Sequence, residues 1–342
     1  MKKFFKIVLV IVVFAFLGAI CYRIFIDNQG DKTPKTKETK KVIKKQEKNI
    51  YPSYNGFLKV SGTQLKNEKN EDFILKGVSS HGIQWFNDLY TKDNLKILKE
   101  DWNTNVFRIA MYTKEGGYID DSSIKDKVTS IIDNLVSLDM YVIVDWHILS
   151  DNNPTTYTNA SKRFFGEISK KYSNLPNIIY EICNEPNGET TFEDINKYAN
   201  EVIPVIRRNS PKSLIIVGTT NYSQDVDRVI KLDYENIMYS LHFYSGTHKE
   251  ELRNKAKSAL ENNTPIIVSE FGVSDASGSG GIYFDETDKW ITFLKENKIS
   301  IISWNLSNKN ETSEILKENT NVVSDENLTS TGKYLKDIFI NY

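Results

Sequence analysis

From residue 56 onward, short apolar runs recur between longer stretches whose apolar positions fall three and four apart. The short runs are 73–79, 104–111, 141–146, 177–183, 213–219, 236–243, 265–269 and 299–304. Apolar at nearly consecutive positions and punctuated by turn residues, they predict strands buried on both faces. The stretches near 92–101, 123–138, 156–173, 191–209, 248–262 and 284–297 predict helices, as do a short one near 225–231 and a last one near 330–340. Ahead of them, Phe57-Leu58-Lys59-Val60 and Thr63-Gln64-Leu65 flank Ser61-Gly62 as a small N-terminal β-hairpin, placed to cap the bottom of the larger sheet. Eight strand–helix units predict an α/β fold, a single (β/α)8 TIM barrel over 51–342. A doubly wound open sheet is the alternative. It would bring a Gly-rich phosphate loop after the first strand, and Lys76-Gly77-Val78-Ser79-Ser80-His81-Gly82 is not one.

The first fifty residues break this pattern. Lys2, Lys3 and Lys6 precede an unbroken apolar run from Ile7 to Ile20, which continues through Cys21-Tyr22 and past Arg23 to Ile26. This is the layout of an export signal or membrane anchor over 1–26. Ala19-Ile20-Cys21 is a poor cleavage site, so an uncleaved anchor through 7–26 is preferred to a cleaved signal. Residues 27–50 then read as a disordered, self-repelling tether, with eight lysines between 31 and 49 and almost no large apolar side chain. The expected location is extracellular, secreted or anchored to the outer face of the plasma membrane.

Charge sharpens the division. The chain as a whole carries −1, but residues 1–50 hold 11 Lys, one Arg and four acids, which leaves −9 on the body. A mildly acidic body offers no electrostatic footprint for nucleic acid. The only cysteines are Cys21 and Cys183, so neither a disulfide framework nor a cysteine metal site is expected in the body. A monomer without cofactors is expected.

The chemistry gathers at the strand ends, the face on which such barrels react. The first strand leads to His81 and Trp85, the second carries Arg108 and Tyr112, and the third ends at His147. The fourth breaks at Asn184-Glu185-Pro186, the fifth leads to Tyr222, and the sixth closes on His242-Phe243-Tyr244. The seventh delivers Glu270 and the eighth Trp304. Each of these alone is no more than a core or loop residue, yet three of the four histidines fall at such positions. No HExxH or close HxH pairing supports a metal, and no G-x-S-x-G elbow supports a serine nucleophile. What remains is two glutamates, Glu185 and Glu270, facing a mouth rich in Trp and Tyr. Two carboxyls beside aromatic platforms suit glycoside hydrolysis, in which one acid protonates the leaving oxygen while the other attacks or directs water.

The run I-Y-E-I-C-N-E-P resembles the signature of glycoside hydrolase family five. L-K-G-V-S-S-H-G-I-Q-W-F, V-D-W-H-I-L-S-D-N-N-P, L-H-F-Y-S-G-T-H and S-D-A-S-G-S-G-G resemble its bacterial endoglucanase (cellulase) subgroup, over nearly all of 53–311. The resemblance implies endo-1,4-β-glucanase activity with retention of configuration. It implies Glu185 as acid/base, Glu270 as nucleophile, Arg108 holding Glu270 ionised, Asn184 on the sugar 2-hydroxyl, Tyr244 touching Glu270 and His242 orienting the pair. His81 and His147 are implied to bind the same ring and Trp304 to floor it, with Trp85, Tyr112, Tyr222, Lys309 and Glu311 lining outer subsites. Two departures stand out. Phe271 replaces the usual Trp, keeping an aromatic wall beside the nucleophile but losing an indole N–H. Tyr222 also stands where Trp is usual. Two other readings remain open: another β-glycanase acting on lichenan, glucomannan or mannan, and a catalytically silent surface carbohydrate-binding protein.

Overall fold

A computed structural model describes residues 50–342; the expected anchor and nearly all of the lysine-rich tether lie outside the described residues. A hairpin comes first, β1 (Lys59–Ser61) paired antiparallel with β2 (Gln64–Lys66). Gly62, at φ 62°, supplies its left-handed turn residue. Eight parallel strands come next: β3 (Lys76–Ser80), β4 (Val106–Tyr112), β5 (Tyr141–His147), β6 (Ile178–Glu181), β7 (Ile215–Val217), β8 (Ile237–Tyr244), β9 (Ile266–Gly272) and β10 (Ile301–Leu306). They pair in chain order, and β10 returns to β3 to close the barrel. The outer helices are α1 (Lys92–Trp102), α2 (Ile124–Ser137), α3 (Thr158–Lys171), α4 (Phe192–Arg207), α5 (Glu250–Glu261), α6 (Phe284–Glu296) and α7 (Ser330–Asn341). Among the described residues, no helix is long and apolar enough to cross a membrane.

The period of two along each strand divides the core in two. Phe107, Ile109 and Met111 of β4, with Val142, Val144 and Trp146 of β5, pack outward against the helices. Val106, Tyr141, Ile143, Ile179, Ile216, Met238, Ile267 and Ile302 point inward and form an apolar plug, onto which Leu58 and Leu65 of the hairpin close. Asn236 fixes that floor: its Oδ1 accepts the Val60 N–H at 2.9 Å, and its Nδ2 donates to Leu58 O at 3.0 Å. Above the plug, the inward positions turn polar.

The alternation breaks in β9, and that break matters. Between Ser240 and His242 of β8, the partners in β9 run from Ile267 to Glu270; between Ile301 and Ser303 of β10, they run from Val268 to Phe271. Both neighbours therefore see one extra residue in β9. This bulge lets the consecutive residues Ser269 and Glu270 both address the interior.

Two expectations change. The helix expected near 225–231 is reduced to single turns, Thr220–Ser223 and Val226–Arg228, with Asn221, Tyr222 and Ser223 at φ of 55–58°. Bonds to the loop after β6 override local helix formation: Tyr222 N–H donates to Pro186 O, and Ser223 Oγ donates to Asn184 O at 2.7 Å. Phe271 is not a wall of the site. It faces outward, fully buried, stacked at 5.3 Å on Phe243, which in turn stacks at 4.0 Å on Trp290 of α6.

Candidate active site

The polar layer of the barrel is built around Arg108, an inward residue of β4 with no exposed surface. A buried guanidinium is tolerated only when its donors are matched. Its Nε donates to Glu181 Oε2 at 2.6 Å, its Nη1 to Glu270 Oε2 at 2.9 Å and its Nη2 to Asn184 Oδ1 at 2.7 Å, while Asp145 Oδ2 forms an ion pair 3.0 Å from Nη2. Three carboxyls and one cation cannot all keep ordinary pKa values. Burial would raise Glu181 and Glu270, but the Arg108 and His242 charges hold both below the carboxylate range. Burial, with the neighbouring Glu181 and Glu270 charges, outweighs Arg108 at Asp145 and pushes its carboxyl well up; its Oδ1 has no partner among the described residues.

Glu270 and Glu185 stand one layer higher. Tyr244 donates its hydroxyl to Glu270 Oε1 at 2.7 Å, so both oxygens of Glu270 are held. Glu185 leaves the loop after β6, where Asn187 Nδ2 donates to its carbonyl at 2.8 Å. Its Oε1 lies 2.8 Å from His242 Nδ1. Burial and the Glu270 charge raise the Glu185 pKa despite the His242 bond. One carboxyl is thus biased to keep its proton and the other to lose it, with an oxygen of each within 4.8 Å of the other. These two residues and His242 are close enough to share a cation. Each already has protein partners, however: His242 meets Glu185 and Ser269, and Glu270 meets Arg108 and Tyr244.

The carboxyls open into a cleft of about 450 Å³. Every expected site residue lines it except Arg108 and Asn184, which are buried next to the lining residues Glu270 and Glu185. Trp304 is packed in by His147, its ring stacked at 5.4 Å, and by His81 at 5.1 Å. Burial lowers both histidines to about 3, so they meet a ligand as neutral donors and acceptors. Trp85 and Tyr222 are 48% and 44% exposed at the rim. Lys309 pairs with Glu311 at 2.9 Å. Sequence reasoning missed Asp145 and Glu181 as members of the site, together with Ser240, Ser269 and His248. For the two acids a signal existed, a single charge at an inward position of an otherwise apolar strand.

The profile described as Cellulase (glycosyl hydrolase family 5) matches residues 66–310. An endoglucanase of Clostridium saccharobutylicum is 48% identical over 291 residues, 83% of this chain and 65% of that protein. Endoglucanase A of Evansella cellulosilytica is 49% identical over 251 residues, 72% of this chain and 51% of that protein. This chain therefore spans between about half and two thirds of the length of these relatives. Among solved structures, a variant of the catalytic domain of Thermobifida fusca endoglucanase Cel5A, in complex with cellotetraose, superposes with a TM-score of 0.81 at 34% identity. That match covers 84% of this chain and 98% of the other. With the family match over residues 66–310 and identities of 48% and 49% to two endoglucanases, the chain belongs to the cellulases of glycosyl hydrolase family 5.

Proposed function

We propose that this chain is a retaining endo-1,4-β-glucanase that cuts internal bonds of β-1,4-glucan by double displacement. The observation that carries this reading is the close approach of Glu185 and Glu270 with opposite protonation bias. With an oxygen of each within 4.8 Å of the other, the pair is close enough to favour direct attack by the second carboxylate over attack through an interposed water. Glu270, ionised and aimed by Arg108 and Tyr244, attacks the anomeric carbon. Glu185 gives its proton to the leaving oxygen, and a glycosyl ester forms on Glu270. Glu185, now a carboxylate, takes a proton from water as that water displaces Glu270, so the configuration is retained.

Asn184 lies beside the reacting pair and is offered as the partner of the 2-hydroxyl, with His81 and His147 on the same ring and Trp304 as its stacking floor. Trp85, Tyr112, Tyr222, Lys309 and Glu311 serve neighbouring sugars. Such flat aromatic faces suit pyranose C–H surfaces. We infer action outside the cell as a monomer. A polymeric substrate and the apolar N-terminus support export.

The test is reducing-sugar release by the full chain from carboxymethyl-cellulose, lichenan and mannan, beside Glu185→Gln and Glu270→Gln. Each substitution is expected to cost at least ~10³-fold in kcat/KM on glucan. Binding of oligosaccharide without hydrolysis would establish a silent binding protein instead. Faster release from mannan than from any glucan would overturn the substrate.

A further inference from the structure

Below the reacting carboxyls runs a chain of polar groups that the double displacement does not use. Ser269 belongs to it, two residues beyond the inward Ile267, and the extra residue in β9 keeps Glu270 inward beside it. Ser269 Oγ lies 2.7 Å from Glu181 Oε1, 2.6 Å from Ser240 Oγ and 2.9 Å from His242 Nε2, with all four residues buried. A hydroxyl has one proton to give and two lone pairs. Glu181, paired with Arg108 at 2.6 Å, is a carboxylate and only accepts. The single Ser269 proton therefore goes to Glu181. The contact with His242 must then be donated to Ser269 by an N–H at Nε2, while Ser240, whose Oγ also lies 3.0 Å from Glu181 Oε1, gives its one proton to either neighbour.

We propose that Glu181 and Ser269 are positioning residues that commit His242 to carrying a proton on Nε2, so that its Nδ1 is left bare towards Glu185 each time Glu185 has given up its own proton. This rests on the reading of Glu185 as the acid/base. In the resting site one proton occupies the 2.8 Å contact between Nδ1 and Glu185 Oε1. When Glu185 passes it to the leaving oxygen, a carboxylate and a ring lone pair face each other with nothing between them. That repulsion raises the affinity of Glu185 for the proton that the incoming water must release. A ring free to move its proton to Nδ1 would instead stabilise the carboxylate and weaken both the acid and the base.

The protonation tendencies agree with this arrangement. Against its burial, His242 is pushed up to about 9 by Glu181, whose Oε1 lies 3.8 Å from Nε2, by its bond with Glu185 and by the Glu270 charge, so the His242–Glu185 pair keeps its shared proton through neutrality. Glu181 from β6, Glu185 from the loop beyond it, Glu270 from β9 and His248 after β8 face this ring, with Arg108, Asp145 and His147 completing the charged surroundings.

Ser269→Ala removes the hydroxyl and little else. In ¹⁵N-labelled full-length protein, the wild-type His242 ring is expected to stay protonated at Nε2 across the pH range, with Nδ1 as the titrating atom; in Ser269→Ala an Nδ1–H form is expected to appear. The basic limb of kcat/KM on carboxymethyl-cellulose should move down by about one unit, which is about tenfold in rate on that limb. Glycosylation by 2,4-dinitrophenyl β-cellobioside, whose leaving group needs no proton, should change less than about twofold. Ser269→Thr keeps a hydroxyl and should restore the wild-type limb.

A wild-type ring bearing its proton on Nδ1 with Nε2 bare would overturn the proposal. So would Ser269→Ala with an unmoved basic limb, including the case of equal losses on both substrates, which marks a purely structural hydroxyl. If the wild type cleaves no glucan, the acid/base reading of Glu185 fails, and the nitrogen resonances still decide the tautomer.

Discussion

At the scale of single residues, Arg108 decides the charge of its surroundings. A lysine there keeps the charge but cannot reach Glu181, Glu270, Asn184 and Asp145 together. Arg108→Lys is expected to cost about 3 kcal/mol of stability in denaturant titration, because acids buried for a five-donor partner lose it. It should also raise the acid limb of the pH–kcat/KM profile, since Glu270 loses part of what holds it ionised. In the wild type that limb should fall below the ordinary glutamate value of about 4.3, because Glu270 is lowered, and the basic limb above it, because Glu185 is raised. The stability linkage has the same signs. Glu181 and Glu270, with folded pKa values below their unfolded ones, contribute stability that is present above about pH 4.3 and lost as the pH falls through their folded values. Asp145 and Glu185 are raised and run the opposite way, which softens acid unfolding.

At the scale of elements, the strands and their tips set the geometry. The apolar runs and the polar groups after them were legible in the chain, and so was the placing of Glu185 and Glu270 at one mouth. Ser269 was not, because a strict alternation that turns Glu270 inward turns Ser269 outward, and a bulge leaves no mark in a short apolar run. The failed helix near 225–231 has a similar cause, since tertiary bonds from Tyr222 and Ser223 to the neighbouring loop outweigh local preference. Close approach of backbones is a further element-scale constraint. A Cβ on Gly218, just after β7, would lie 2.3 Å from Cys183 O and 2.8 Å from Asn184 O, against the segment that carries Glu185. Gly218→Ala should therefore lower kcat by at least about tenfold while leaving the far end of the barrel folded, checked by kinetics beside near-UV circular dichroism.

At the scale of the whole molecule, the barrel has a dry end and a wet end. The dry end, with Leu58 and Leu65 lying on the inward plug, is remote from the cleft. Leu65→Ala is expected to cost about 2–5 kcal/mol in unfolding free energy and to leave KM unchanged at temperatures where the protein stays folded. The barrel, its hairpin floor and the converging aromatic mouth could be read from spacing alone. The four-acid balance could not, because it depends on which inward positions meet across the barrel.

The hydroxyl–carboxylate chain that ends at Glu185 is embedded in β6, β8 and β9, whereas Trp85, Tyr222 and Lys309 hang on the connections above them. In the proposed function, polymer preference and reactivity are therefore assigned to different parts of the chain. Exchanging the upper connections between relatives should redirect which polymer is gripped while the titration of the reaction travels unchanged with the staves.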